Sequence, residues 1–205
     1  MDEQHHIVSA DETTVTFGAD IGLTNKDPTL RQIRAAAGWD VRSKEGVAPD
    51  LDLSCFLLNK DGRTRWDEDF VFYNNIRSED GEVVHKGDSR TGAGDGDDET
   101  IEISLQALSY DVMELEFVLT IHEGEFHDQS FAQAKNVYFR LVNMETEMEL
   151  IRFPIPDEHM EQNKGTLIRI GKLFRDGDKW RFITNGLIEE NGLRKAATGY
   201  GIIVI

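Results

Sequence analysis

The sequence predicts an all-β fold, a β-sandwich of two mostly antiparallel sheets with one or two short helices. Three observations predict it. Apolar residues recur with period two in most hydrophobic segments, as half-buried strands require. Turn signals separate these segments: Lys60-Asp-Gly62, Glu79-Asp-Gly81, the glycines Gly92 to Gly96, and Asp176-Gly177. The chain of 205 residues can bury a sizeable core, and its single cysteine, Cys55, leaves no intrachain disulfide to substitute for one.

Residues 1–12 are polar and read as a flexible tail, and residues 13–205 read as one domain. Thr14 to Phe17 alternates and predicts a first strand. Residues 30–37 are ambiguous, because their alanines favour a helix while Ile33, Ala35, Ala37 and Trp39 alternate. In residues 50–58, Leu51, Leu53, Cys55 and Leu57 share one face while Asp50 and Asp52 share the other. Phe56 and Leu58 also fall on that second face, so this strand has a polar start and then enters a two-sided core. Residues 70–73 form a short apolar run ending at Asn74-Asn75. Residues 114–123 place Leu115, Phe117, Leu119 and Ile121 on one face. Residues 137–142 and 149–153 flank a polar hairpin segment, and residues 168–174 and 180–183 flank a second one at Asp176-Gly177. Residues 128–135 open with Asp128 as an N-cap and predict a helix of about two turns. Residues 187–197 are the other helical candidate.

The charge is one-sided. There are 39 Asp and Glu against 22 Lys and Arg, a formal charge of −17. A field of this sign repels phosphate, which excludes a nucleic-acid-coating or membrane-coating protein. The N-terminus lacks the basic and apolar regions of a secretory signal. No apolar run reaches the ~18 residues of a membrane span. With one cysteine, these features lead us to expect a cytoplasmic protein.

The acids are concentrated in residues 88–100, where five of 13 residues are acidic and three are glycine. Glycine lets the backbone turn tightly and brings several oxygens towards one point, where a hard cation offsets their repulsion. Ca²⁺ accepts about six to eight oxygens in irregular geometry, and Mg²⁺ demands a stricter octahedron. No local His or Cys offers a softer ligand. The same composition also fits a solvated acidic loop. It does not read as an EF-hand: Gly96 is followed at once by Asp97, Asp98 and Glu99. Asp50 and Asp52 add an i, i+2 carboxylate pair at a strand start, a two-point ligand set that also fits ordinary edge polarity.

Several motifs, taken in order, carry a resemblance. These are Gly38-Trp-Asp40, residues 50–58, Asp69-Phe-Val-Phe-Tyr-Asn-Asn75, and Gly87-Asp-Ser-Arg-Thr-Gly-Ala-Gly-Asp-Gly-Asp-Asp-Glu99. Ile121-His122, Arg140-Leu-Val-Asn143 and Gly171-Lys-Leu-Phe-Arg175 follow. Over about residues 13–200 the chain resembles the TerD family of bacterial tellurium-resistance and stress proteins. The resemblance implies a two-sheet sandwich that binds Ca²⁺ through loops at one end. It also implies that residues 30–39 form a strand. The ligand pool it implies is Asp50, Asp52, Asn74, Asn75, Asp88, Asp95, Asp97, Asp98 and Glu99, with Glu123 at the end of a strand reaching the same rim. Two neighbouring ions would use this many acids.

Other chemistries fit less well. The glycines at 92, 94 and 96 are surrounded by carboxylates and lack the Lys of a phosphate cradle. His122 and His127 are spaced one residue too far apart for a zinc protease motif, and Gly124 interrupts them. Cys55 faces inward by strand parity, as a core thiol does. The expected function is therefore that of a calcium-binding stress-response adaptor without catalytic activity. Its implied partners are other proteins of the tellurium-resistance system, including a membrane component, with no nucleic acid and no membrane insertion. Two alternatives stand beside it: a metal-dependent enzyme acting on a phosphorylated substrate, and a plain calcium buffer.

Overall fold

The computed structural model describes residues 6–7, 12–41, 48–87, 96–190 and 192–203. Two sheets face each other. In chain order the strands are β1 (His6–Ile7), β2 (Ala19–Gly22), β3 (Gln32–Val41), β4 (Leu51–Leu58), β5 (Phe70–Val71) and β6 (Val83–His85). They continue with β7 (Glu99–Ser104), β8 (Glu114–Ile121), β9 (Ala134–Asn143), β10 (Glu149–Pro154), β11 (Leu167–Asp176) and β12 (Lys179–Glu189). One sheet runs β1-β2-β12-β11-β8-β4-β5 and the other β10-β9-β3-β7-β6. All pairings between these strands are antiparallel except β1 with β2. Three short helices complete the described residues: α1 (Leu23–Lys26), α2 (Asp157–Gln162) and α3 (Gly192–Gly199).

The predicted sandwich is the observed architecture, and its strand parities hold. Leu53, Cys55 and Leu57 of β4 and Leu115, Phe117 and Leu119 of β8 face the space between the sheets. Ala35 and Ala37 of β3, Ile101 and Ile103 of β7, and Phe139 and Leu141 of β9 meet them there. The alanines of residues 30–37 are strand residues. They pair on both sides, with β7 and β9, so tertiary burial overrides their helical propensity. Phe56 and Leu58 leave the main core for a second cluster with Val118, Leu167 and the α3 residues Ala196 and Ala197. The two-sided character read from β4 is therefore a helix packed on the outer face of its sheet. Cys55 is fully buried, and burial together with the negative charges of Glu116 and Asp69 pushes its thiol well above its ordinary value.

Several local expectations are corrected. Thr14 makes only an isolated bridge to Arg152, and the strand of this region is β2, beginning at Ala19. Ser130, not Asp128, caps a single 3₁₀ turn over Phe131–Gln133 through a reciprocal capping box, and β9 begins at Ala134. Strand β12 runs to Glu189, so only the end of the 187–197 segment lies in a helix, which starts at Gly192. The second hairpin turns at Gly177 and Asp178 with positive φ at the glycine alone, the type II′ pattern. Most of the 1–12 tail lies outside the described residues, and His6–Ile7 pairs with Ala19 and Asp20.

Candidate functional site

The acidic segment is the connection of the β6–β7 hairpin. Its two ends meet: Lys86 N–H donates to the Thr100 carbonyl at 2.9 Å, and Gly87 lies against the Asp98 carbonyl. Asp88 and Asp95 lie outside the described residues. Asp97, Asp98 and Glu99 are described, and each takes a different partner.

Glu99 is the first residue of β7 and is fully buried. Its side chain crosses to the other sheet, where Oε2 accepts the Leu53 N–H at 3.0 Å. This has a topological cause. Strand β5 covers β4 only at Cys55 and Phe56, which leaves the Leu53 amide on an open sheet edge. His85 Nε2 of β6 sits 3.0 Å from the same oxygen. Glu99 thus ties both sheets together at one edge of the sandwich. Its inward parity is legible in Glu99-Thr-Ile-Glu-Ile103, where Glu99 shares a face with Ile101 and Ile103.

Asp98 and Asp97 fasten the same end of the loop to β3 and β9. Asp98 N–H donates to the Ala37 carbonyl at 2.9 Å, and its Oδ2 accepts the Trp39 N–H at 3.0 Å. Asp97 points to the outer face of its sheet. Arg140 grips it with Nε to Oδ1 at 2.8 Å and Nη2 to Oδ2 at 2.7 Å, and the Tyr138 hydroxyl donates to Oδ1 at 3.0 Å. Gly38 makes room for this. A Cβ there would lie 2.6 Å from the Tyr138 ring, which crosses β3 to reach Asp97.

Bonding to Asp97 holds the Arg140 guanidinium above its ordinary range. Burial pushes the Glu149 carboxyl up, but hydrogen bonds from Arg152 and Arg140 outweigh burial and hold it below the usual value. Burial, then the charge and hydrogen bond of Asp97, push Tyr138 up to about 12 from an ordinary 10.0. The sign of the consequence is fixed. An unfolded tyrosine loses its proton near 10.0 while the folded one keeps it to about 12, so stability present below that window is lost as pH rises through it. Denaturant titrations across this range should show the wild type losing stability relative to Tyr138→Phe. Parallel pH curves for the two would refute the assignment.

The remaining predicted ligands divide in the same way. Asp50 and Asp52 stand at the start of β4, with Asp52 only 4% exposed. His122 N–H donates to the Asp50 carbonyl at 2.8 Å, and His122 Nδ1 lies 3.5 Å from Asp52 Oδ2. The Glu99–Leu53 contact brings the two chain segments together, with Asp52 and Asp98 their preceding neighbours in sequence. Asn75 is occupied in its own turn, its amide donating to the carbonyls of Glu68 and Phe70. Asn74 is exposed. Glu123 has a positive φ of 49° and its carboxylate lies 3.6 Å from His127. Of the predicted ligands, Glu99 and Asp98 are held by backbone amides of β4 and β3, and Asp97, Asn75 and Glu123 are turned to other partners. Among the described residues, no three His, Cys, Asp or Glu side chains are grouped to hold a metal. Sequence reasoning missed His85, Arg140 and Tyr138 as partners of the acids. Tyr138 and Arg140 fall on the face of β9 opposite Val137, Phe139 and Leu141, a signal of outward direction but not of destination.

Comparison with known proteins accords with this geometry. The TerD domain model matches residues 12–200. The Serratia marcescens tellurium resistance protein TerD is 39% identical over 189 residues, covering 92% of this chain and 97% of that one. General stress protein 16U of Bacillus subtilis is 38% identical over 188 residues, covering 91% and 96%. The crystal structure of a TerD homologue from Streptomyces coelicolor superposes with a TM-score of 0.65 at 20% identity, over 82% of this chain and 95% of that one, which shows the shared fold. No helix of the described residues is long and apolar enough to cross a membrane. Fold, ordered motifs and matched length agree, and the chain belongs to the TerD domain family, whose named members are tellurium-resistance and stress proteins.

Proposed function

We propose that the chain is a cytoplasmic, non-catalytic adaptor of the stress response whose acidic rim binds Ca²⁺. One observation carries the reading. Glu99 at the start of β7 reaches the Leu53 amide of β4, which joins the segment carrying Asp97 and Asp98 to the strand that starts beside Asp50 and Asp52. The donor set is hard oxygen, which suits Ca²⁺. In this reading Asp88 and Asp95 add their carboxylates to those of the described acids. The bound ion supplies positive charge that offsets repulsion among the rim carboxylates. Asp97 and Glu99 act differently. Held by Arg140 and by Leu53 with His85, they anchor the returning end of the loop. With these two acids engaged, the pool suits a single ion of six to eight oxygens, about half of what two ions need. The ordered loop then forms part of a surface for partners of the resistance system, which is the order–disorder form of a charge-driven switch.

Calorimetry on the chelator-stripped protein tests this. Ca²⁺ should bind with heat and in preference to Mg²⁺. At a hundredfold excess over Kd it should stabilise the fold by about 2.7 kcal/mol, a rise of roughly 5–11 °C in Tm. Asp52→Asn with Asp98→Asn should abolish the heat while the apo protein melts as before. Absence of heat and of any thermal shift would sink the reading. A partner captured in Ca²⁺ and released by chelator separates an adaptor from a buffer.

A further inference from the structure

A groove of about 500 Å³ opens beside the rim, between α3 and the segment that follows β5. One wall is Phe70 and Phe72, backed by the buried Phe56 in a column of rings. Phe56 and Phe70 stack at 4.4 Å between centroids, and Phe70 and Phe72 at 4.2 Å. The other wall is Leu193, Ala197 and Ile202. The lip carries Asp67 and Glu68, and none of the lining residues is basic. Ile203, in the lining, is 83% exposed. The groove also touches the rim. Tyr73 packs edge-on against Phe72 at 5.1 Å and against His122 at 5.2 Å, and His122 faces Asp52.

We infer that this groove docks a cationic amphipathic segment of a partner protein, with a bulky apolar side chain between the phenylalanine column and α3 and Lys or Arg on Asp67 and Glu68. A volume of this size matches one or two large side chains and lies within the range of built binding sites. Apolar anchoring at the centre with charged pairs at the lip is the common division of labour in peptide grooves. An acidic lip on a chain of charge −17 selects a basic partner and repels an acidic one. The inference deepens the adaptor reading. It rests on there being a protein partner and not on calcium.

The test uses the full chain and a fluorescent synthetic peptide of alternating Leu and Lys at helical spacing, with a Ser/Lys peptide of equal charge as its control. Anisotropy should show the Leu/Lys peptide binding about tenfold or more tighter than the control. Leu193→Ser with Ile203→Ser should erase that difference, and Tm guards against misfolding, since Ile203 is 83% exposed. Asp67→Asn with Glu68→Gln should weaken binding and flatten its salt dependence. Equal affinity for both peptides, or indifference to the groove variants, overturns the inference. So does a self-dimer that Ile203→Ser dissolves, or peptide binding that appears only once residues 204–205 are removed. Running the titration in chelator and in Ca²⁺, beside the calorimetry, keeps the two readings separable. Peptide binding without calcium heat would sustain the groove and refute the metal.

Discussion

Replacing Arg169 by methionine is expected to destabilise the protein by about 3 kcal/mol, seen as a fall of roughly 6–12 °C in Tm. Arg169 of β11 is the hub of a polar cluster on the outer face of its sheet, under the end of α3. Its Nη1 donates to Glu116 Oε1 at 2.6 Å and to the Tyr200 hydroxyl at 2.8 Å, and its Nε donates to Glu189 Oε1 at 2.6 Å. Tyr200, just past α3, donates in turn to Glu116. Glu116 is 2% exposed, so without Arg169 a buried carboxylate keeps the neutral Tyr200 hydroxyl and, as its remaining cation, Lys172, 3.6 Å away and half exposed. Leaving a buried charge without its partner costs more than the pair itself contributes. Glu116→Gln added to Arg169→Met should therefore recover most of the loss.

The pH dependence has a definite sign. The hydrogen bond from Arg169 holds Glu189 below the usual carboxyl value. That stabilisation is present above the ordinary value of 4.5 and is lost as pH falls through the folded one. Its loss narrows the gap between wild type and variant as the solution is acidified. Urea titrations near neutrality and at mildly acidic pH measure it. A gap under about 1 kcal/mol, or one that does not change with pH, would contradict the role of Arg169.

The second large effect is expected at Gly171. It sits inside β11, the strand hydrogen-bonded to β8 on one side and β12 on the other, where both registers shift between Arg169 and Gly171. The backbone bulges there, with φ at +158°. A Cβ at this position would run into the Ile183 carbonyl oxygen of the facing strand and come within 2.9 Å of the Phe182 ring. The backbone oxygen belongs to a paired strand and cannot move aside alone. Gly171→Ala should thus cost about 3 kcal/mol, the upper range for overpacking. Gly177, in the hairpin turn with φ at +65°, has nothing within 4 Å of its Cβ position. Gly177→Asn should cost about 1 kcal/mol, the backbone strain of a positive φ without a steric clash. Equal losses for the two substitutions would show that steric closure at the bulge is not the cause.

The fold was legible where a single physical signal dominated a segment. Alternation at Leu115, Phe117, Leu119 and Ile121 placed β8, and the extra apolar pair Phe56 and Leu58 announced a layer on the outer face of β4 before any helix was visible. Signals failed where the deciding partner was remote. Thr14 to Phe17 alternates as a strand should, but β12 pairs with β2 and not with these residues. Residues 157–162 form α2 with none of the helical pattern that would have marked it, and Met160 is their buried residue. Asp128 looked like a cap, but Ser130 and Gln133 close the reciprocal pair of bonds.

The acids divide along the same line. By itself the sequence determined a β-sandwich of the TerD family and the concentration of carboxylates around one hairpin. Period-two burial and turn chemistry are local, and local patterns survive in a linear string. Only the tertiary structure decided what each acid does. Asp97 is committed to Arg140, 43 residues away, and Glu99 to the Leu53 amide, 46 residues away. Asp98 is committed to the Trp39 amide, 59 residues away. The reason is that a carboxylate's role is fixed by the donors that folding brings to it, and those donors come from other strands. A count of charges holds no record of where the strands cross.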